Sequence, residues 1–147
     1  MNPITGEHGF AEDPKGVPGH LRPGVGGEGY FHARGGEHQG LDISGVVGES
    51  SIYANRDGRV TFAGATPGKA GNLIIINHGG GVSTRYAHLS SIDVTTGGIV
   101  TEGQEIGIVG KTGNARNLPA SEAHVHFGVQ ISGKNVDPDH YLKSPCP

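Results

Sequence analysis

The sequence predicts an all-β domain whose antiparallel sheets form a groove. Its apolar runs are short and stand between glycines, as in Leu73 to Ile76 and Ile106 to Val109, and the chain holds 28 glycines in 147 residues. Other segments alternate apolar and polar residues with a period of two, which is typical of a strand with one buried face. Helical periodicity is limited to one short segment near the C-terminus. These patterns indicate short strands joined by tight turns.

The predicted elements follow in order from the N-terminus. Residues 1–28 are rich in glycine, proline and charge, so we expect an irregular N-terminal segment, followed by one domain over 29–147. Asp137 supplies an N-cap and Pro138 suits the first helical position, which predicts at most one short C-terminal helical turn over 137–142. Strands are predicted at Gly29–His32, Gly40–Ile43, Ser51–Ala54, Gly58–Ala63, Asn72–Asn77, Val82–His88, Gly103–Gly110 and His124–Ile131.

Turn chemistry connects several of these strands. Glycine adopts positive φ at no steric cost, so Asn55 to Gly58 and His78 to Gly81 are predicted hairpin turns. Two longer connections cover 64–71 and 111–122. Neighbouring strands joined by hairpins are antiparallel, which completes the prediction of an all-β fold.

Composition excludes two classes of partner. The net charge is −3 and the chain has neither a basic tail nor an acidic block, so nothing predicts binding to nucleic acid or to an anionic membrane. No apolar run is long enough to span a bilayer, and the first residues lack the charged-then-apolar order of a signal peptide. The single cysteine, Cys146, cannot form an internal disulfide.

Histidines carry the chemistry of this sequence. His124 and His126 alternate with Val125 and Phe127, so both imidazoles are expected on the open face of one strand, as two metal ligands or as one ligand and one acid/base group. His38 stands four residues before Asp42, at a spacing that again puts both side chains on one strand face. Imidazole nitrogen and carboxylate oxygen are good zinc ligands, and catalytic zinc sites usually have three protein ligands. The alternation alone does not choose which histidine of the pair would be the third.

A third motif lies between these two. Thr84, Tyr86 and His88 share one face of a predicted strand, so His88 is expected to project towards the same groove. The order His-x-x-x-Asp, Tyr-x-His-Leu-Ser and His-x-His-Phe resembles the LytM/lysostaphin-type zinc endopeptidases, which cleave bacterial peptidoglycan. The resemblance covers about residues 30–142 and includes the connecting segments 72–79, 100–107 and 110–113.

The resemblance implies a role for each motif residue. His38, Asp42 and His126 are implied to bind one zinc ion, and His88 and His124 to act as the acid/base pair. Tyr86 and Asn72 are assigned to the substrate groove on the same basis. The connections over 66–71 and 111–122 depart from the family's common pattern, as does Glu122 before the histidine pair. Since we expect these connections to form the groove walls, the resemblance does not identify which peptide bond is cut.

The implied function is zinc-dependent hydrolysis of peptide cross-links or stem peptides of peptidoglycan, with bacteriolytic and antibacterial consequences. The sequence lacks a His-Glu-x-x-His helix, which excludes the thermolysin-type arrangement. We expect a monomer that acts in the periplasm or the extracellular cell wall. With no signal peptide recognised, release by phage lysis or non-classical secretion is expected, and a secreted toxin would have an immunity or delivery protein as a partner.

Three other functions agree less well with this sequence. A catalytically silent LytM-like module that binds peptidoglycan or activates another hydrolase would typically lack ligand residues, whereas all five histidine and aspartate positions are present here. A cupin-like site needs a glutamate shortly after the histidine pair, and residues 127–132 contain none. A lipoyl-type carrier domain needs a lysine at a hairpin tip, and residues 98–106 contain none.

Overall fold

Ten strands in two antiparallel sheets make up the described part of the chain. A computed structural model describes residues 3–4, 41–117 and 123–136. These residues contain one 3₁₀ turn, Gly113–Ala115, and no helix long and apolar enough to cross a membrane. The prediction of an all-β fold is therefore confirmed. The strands are β1 (Leu41–Ser44), β2 (Ser51–Tyr53), β3 (Gly58–Ala65), β4 (Asn72–Gly79), β5 (Val82–Ala87), β6 (Leu89–Ile92), β7 (Ile99–Val100), β8 (Glu105–Val109), β9 (His124–Ile131) and β10 (Lys134–Val136).

Strand β9 lies inside the larger sheet. That sheet has the order β1-β9-β5-β4-β3-β7, and β10 also pairs with β9. The smaller sheet has the order β2-β8-β6. Because β5 and β6 are consecutive in the chain but belong to different sheets, the chain passes from one sheet to the other at the residue between them, His88.

One hydrophobic core joins the two sheets. The larger sheet contributes Ile43, Tyr86 and Phe127, and the smaller sheet contributes Ile52 and Ile106, all with 0% exposure and all in one contiguous cluster. Burying an aliphatic or aromatic side chain of this size is worth about 1.5–3 kcal/mol. The core therefore buries one face of each of these strands, and the opposite face remains for polar side chains.

The two predicted hairpin turns have different outcomes. The segment His78 to Gly81 does join a hairpin, because β4 and β5 pair directly. The prediction for Asn55 to Gly58 is wrong, since β2 pairs with β8 whereas β3 pairs with β4 and β7. Asn55 is fully buried, and its backbone N–H donates to the Tyr86 hydroxyl at 2.9 Å. The segment therefore carries the chain past the core from one sheet to the other.

Other predictions need smaller corrections. Strand β5 ends at Ala87 rather than at His88. Ile131, which continues the alternation of Val125 and Phe127, is 37% exposed at the end of β9. The strands β6, β7 and β10 were not predicted because two to four residues hold too little periodicity. The strand predicted at 29–32 and the helical turn predicted over 137–142 lie outside the described residues.

Within the predicted irregular N-terminal segment, only Pro3 and Ile4 are described. The Pro3 carbonyl accepts a hydrogen bond from the Tyr53 N–H at 2.7 Å, and Ile4 is buried in the core cluster. This short stretch therefore packs against the domain.

Candidate active site

Strand β9 presents its two histidines on the face that is turned away from the core. Val125, Phe127 and Val129 have 0% exposure and belong to the core cluster. Since successive side chains of a strand point to opposite faces, His124 and His126 lie on the other face. The sequence prediction of one shared face for both imidazoles agrees with this arrangement. His124 is 5% exposed and His126 is half-buried.

Strands β1 and β5, on either side of β9, bring further residues into register with the two histidines. In the antiparallel register of β1 with β9, Asp42 is the partner of His126 and Ser44 is the partner of His124. On the other side of β9, the partner of His126 is Ala87.

His88 reaches this face through an unusual backbone conformation. Strict alternation would place it with Thr84 and Tyr86, and the structure buries both of those residues in the core. His88 has φ of 69°, a left-handed conformation that is uncommon outside glycine and that breaks the alternation. Its ring centroid lies 5.1 Å from that of His124 and 6.2 Å from that of His126, both in edge-on arrangements. The three histidines therefore form one group.

Two loops hold His88 in this conformation. The backbone N–H of His88 donates to the Ala70 carbonyl at 2.9 Å, and its Nδ1 lies 2.8 Å from the Thr112 carbonyl oxygen. A carbonyl oxygen can only accept, so Nδ1 carries the proton of the neutral ring. This contact thus assigns the tautomer of the neutral ring.

Thr112 also supports Leu89, the residue that follows His88. Its hydroxyl donates to the Leu89 carbonyl at 2.9 Å and accepts from the Asn72 N–H at 3.0 Å. The Asn72 side-chain amide donates to the same Leu89 carbonyl at 2.9 Å. Asn72, assigned to substrate binding in the sequence analysis, is therefore engaged through its amide nitrogen in supporting the segment that carries His88.

Tyr86 does not line the groove as the sequence analysis expected. Its side chain is fully buried and packs on Phe127 with ring centroids 5.4 Å apart. Its hydroxyl contacts the Asn55 N–H and, at 3.0 Å, the Thr84 hydroxyl. Burial raises the pKa of Tyr86 to about 12. The alternation of β5 was predicted correctly, but Tyr86 lies on the core side of that alternation.

Two glycines let the supporting loops touch. Gly71 and Gly113 have φ of 67° and 72°. A Cβ on Gly71 would lie 2.4 Å from the Gly113 nitrogen, and one on Gly113 would lie 2.2 Å from the Lys69 carbonyl oxygen. The two loops therefore lie backbone against backbone, which aligns the Ala70 and Thr112 carbonyls on His88. Sequence reasoning identified neither Thr112 nor these glycines as site residues, although Gly110 to Gly113 was part of the resemblance.

A pocket of about 360 Å³ opens between the same two loops. These loops belong to the connections that were predicted to be groove walls. Lys69 and Arg116 contribute the only charged side chains to its described lining. The lining residues are Pro67, Gly68, Lys69, Gly113, Arg116 and Asn117.

The predicted zinc ligands are only partly described. His126 is on β9 and Asp42 occupies the opposite register position on β1, whereas His38 lies outside the described residues. Within the described ranges, no three His, Cys, Asp or Glu residues form a group that could hold a metal ion. An imidazole beside a carboxylate position is nevertheless a donor set that suits zinc, which binds histidine nitrogen and carboxylate oxygen. The residue types at positions 42 and 126 therefore suit this ion.

Comparisons with known proteins converge on one family. The model of "Peptidase family M23" matches residues 36–138. The murein hydrolase activator NlpD of Escherichia coli K12 is 38% identical over 112 residues, which are 76% of this chain and 28% of that protein. The DD-carboxypeptidase/endopeptidase Mpg of Neisseria meningitidis (strain MC58) is 38% identical over 101 residues, which are 69% of this chain and 22% of that protein.

A solved structure agrees with these sequence matches. A zinc-containing peptidase from Vibrio cholerae superposes with a TM-score of 0.64 and 32% identity, over 82% of this chain and 36% of that one. The chain spans less than a third of the length of the two sequence relatives that it matches. The similarity therefore extends over one part of each of these longer proteins.

Proposed function

Because the chain belongs to peptidase family M23, we propose that it is a zinc-dependent endopeptidase that hydrolyses peptide cross-links or stem peptides of bacterial peptidoglycan. The observation that carries this proposal is the group formed by His88, His124 and His126, with ring centroids 5.1 and 6.2 Å from His88. Asp42 occupies the register position opposite His126. Such a group on one sheet face combines donors for a metal with groups that transfer protons.

The proposal assigns one zinc ion to His38, Asp42 and His126. When bound, zinc supplies Lewis acidity, which polarises a carbonyl and activates water as a nucleophile. The other two histidines are assigned to proton transfer. General acid–base catalysis of this kind is typically worth about 10²- to 10⁴-fold in rate.

The chain's own residues define how a proton would move. His88 has its Nδ1 committed to the Thr112 carbonyl, so we assign proton exchange with the reacting groups to Nε2. The ring of His124 lies edge-on to that of His88. One imidazole can accept the proton of the attacking water while the other donates to the leaving amine. The rigid hold on His88 keeps this pair oriented between the two steps.

The names of two relatives support the proposed substrate and setting. The activator NlpD is named for murein, and Mpg is named a DD-carboxypeptidase/endopeptidase. We therefore place the reaction in the cell wall or periplasm, with peptidoglycan peptides as the substrate. Release at phage lysis and delivery as a toxin with an immunity or delivery protein are two settings that this chemistry would suit.

A second candidate function is activation of another hydrolase. NlpD, which is named an activator, is 38% identical to this chain. In that case the domain would bind peptidoglycan or a partner enzyme without cutting a bond itself. The presence of all three ligand positions and both partner histidines in this sequence favours the enzyme.

Zinc stoichiometry and hydrolysis, measured on the same preparations, separate the two functions. We expect one zinc per chain in the wild type and in His124→Ala, and none in His126→Ala, with hydrolysis of purified peptidoglycan lost in both variants. Metal analysis and release of soluble muropeptides give the two readouts. A wild type without zinc or hydrolysis that stimulates a separate murein hydrolase would instead establish the activator.

A further inference from the structure

The pocket between the two loops carries two cationic side chains from opposite walls. Lys69 comes from the connection between β3 and β4, and Arg116 from the segment after the 3₁₀ turn. Both residues are exposed. Among the residues that the structure describes, neither side chain takes part in a hydrogen bond or an ion pair. Two cations that line one pocket, with no counter-ion among the described residues, make it attractive to an anion.

The pocket borders the group that we assign to catalysis. Lys69 directly precedes Ala70, whose carbonyl accepts the hydrogen bond of the His88 N–H. Gly113 directly follows Thr112, whose carbonyl accepts the hydrogen bond of His88 Nδ1. The loops that form the pocket wall are thus the loops that hold His88. A ligand seated there would lie beside the reacting bond rather than at a remote surface.

The lining indicates the chemistry of the ligand. Apart from the two cations, it consists of glycines, a proline and the Asn117 amide, with no large apolar side chain among the described residues. A guanidinium binds a carboxylate through two parallel hydrogen bonds, and an ammonium adds a point charge. A neutral glycine bridge offers no group of opposite charge to this pair.

We propose that Lys69 and Arg116 form a carboxylate-binding subsite beside the active site. The subsite selects substrate peptides that carry a free carboxylate near the scissile bond over neutral peptides such as glycine bridges. The carboxylate has two sources in a stem peptide, the C-terminus and the side chain of a diamino acid. This inference rests on the proposed function, because it names the substrate class of the same site.

The test uses synthetic cross-linked peptides that differ only in charge. One peptide has both carboxylates free, a second has the C-terminal carboxylate as an amide, and a third has the side-chain carboxylate as an amide. We expect wild-type kcat/KM to fall about tenfold or more for one of the two amides, which identifies the source, and the difference to shrink at high salt.

Variants assign the preference to the pocket. Lys69→Met and Arg116→Met remove charge at similar side-chain length, and both residues are exposed, so folding should be retained. We expect the ratio of kcat/KM for acid and amide peptides to fall towards one in the double variant. Lys134→Met, on the exposed strand β10, is the matched control and should keep the wild-type ratio.

Binding of uncleaved peptides separates this proposal from the proposed function. If no peptide is hydrolysed, calorimetry with the acid and amide peptides still measures the preference, and only the double variant should lose it. Equal kcat/KM and equal affinity for acid and amide peptides in the wild type would overturn the subsite. A preference that survives in the double variant would overturn it as well.

Discussion

At the scale of single residues, Thr112 supports His88 and its neighbour Leu89 through two separate atoms. Its carbonyl accepts a hydrogen bond from His88 Nδ1, while its hydroxyl donates to the Leu89 carbonyl and accepts from the Asn72 N–H. The side chain therefore acts as a positioning group, since it contacts the backbone around His88 rather than the reacting atoms. Loss of the hydroxyl would leave the Asn72 N–H without this acceptor.

We expect Thr112→Val, which keeps the shape but loses the hydroxyl, to lower stability by about 1–3 kcal/mol. We also expect kcat to fall while KM changes little, because the backbone that carries His88 loosens. Thr112→Ser retains the hydroxyl and should restore kcat. Thermal unfolding and steady-state kinetics measure both effects, and a valine variant with wild-type kcat would exclude the positioning role.

Tyr86 provides a test in which stability and activity separate. Tyr86→Phe leaves the buried Asn55 N–H without the acceptor that lies 2.9 Å away in the wild type. We expect a loss of about 1–3 kcal/mol in the free energy of unfolding, measured in urea, because an unsatisfied buried donor carries its full desolvation cost. KM should stay unchanged because the ring faces the core. A rise in KM at unchanged stability would instead favour the groove position that the sequence suggested.

His78 makes stability depend on pH. Burial lowers the pKa of His78 from its ordinary 6.5, which outweighs the opposing effect of the hydrogen bond to the Asp57 carbonyl. The unfolded chain therefore takes up this proton first as the pH falls. The stability that the neutral His78 ring contributes is therefore complete above pH 6.5. It is lost as the pH drops through 6.5 towards the pKa of His78 in the folded protein.

The corresponding variant is His78→Gln, which has no titrating side chain. We expect the wild type to lose more stability than His78→Gln between pH 7.5 and pH 5.5, as measured by denaturant unfolding at each pH. Comparison of the two proteins cancels the titration of the other histidines. Equal losses of stability in both proteins would mean that the pH dependence comes from groups other than His78.

At the scale of elements, the contact between the two supporting loops depends on Gly113. A Cβ there would lie 2.2 Å from the Lys69 carbonyl oxygen, a distance that real Cβ atoms do not show. Gly113→Ala should therefore separate the loops, destabilise the protein and lower kcat together. Gly48→Ala is a matched control, because Gly48 has φ of 73° with nothing within 4 Å of its Cβ position. It isolates backbone strain, which costs roughly 1–2 kcal/mol.

Thermal unfolding and kinetics of both variants give the comparison. A Gly113→Ala protein no less stable than Gly48→Ala, with wild-type kcat, would contradict the role of the loop contact.

Sequence patterns predicted the elements better than their connections. The alternation of β9 was sufficient to place its histidines on one face, because a strand with a buried face leaves no other choice. It was insufficient for His88, since a single left-handed residue reverses the alternation without any sign in the sequence. The residue types of the turn at Asn55 to Gly58 suit a hairpin. They do not determine which sheet the next strand joins.

At the scale of the whole molecule, metal binding should contribute to stability. A ligand that binds only the folded state stabilises it by about 4 kcal/mol at a thousand times its dissociation constant. We expect chelation of zinc to lower the Tm of the wild type and restoration of zinc to recover it. His126→Ala, without a ligand, should show a Tm that does not respond to the chelator. A wild-type Tm that is equally insensitive would contradict the assigned ligands.

The register between β1 and β9 joins residues from near the two ends of the described chain, with Asp42 opposite His126. A nascent chain emerging from the ribosome carries β1 long before β9 exists. Pairings between such distant segments form late, because the intervening loop must first be closed. The site is thus complete only after synthesis has passed β9. Under the proposed function, a translation product that stops before β9 would have a partial hydrophobic core but would lack His124 and His126, and we expect it to be inactive.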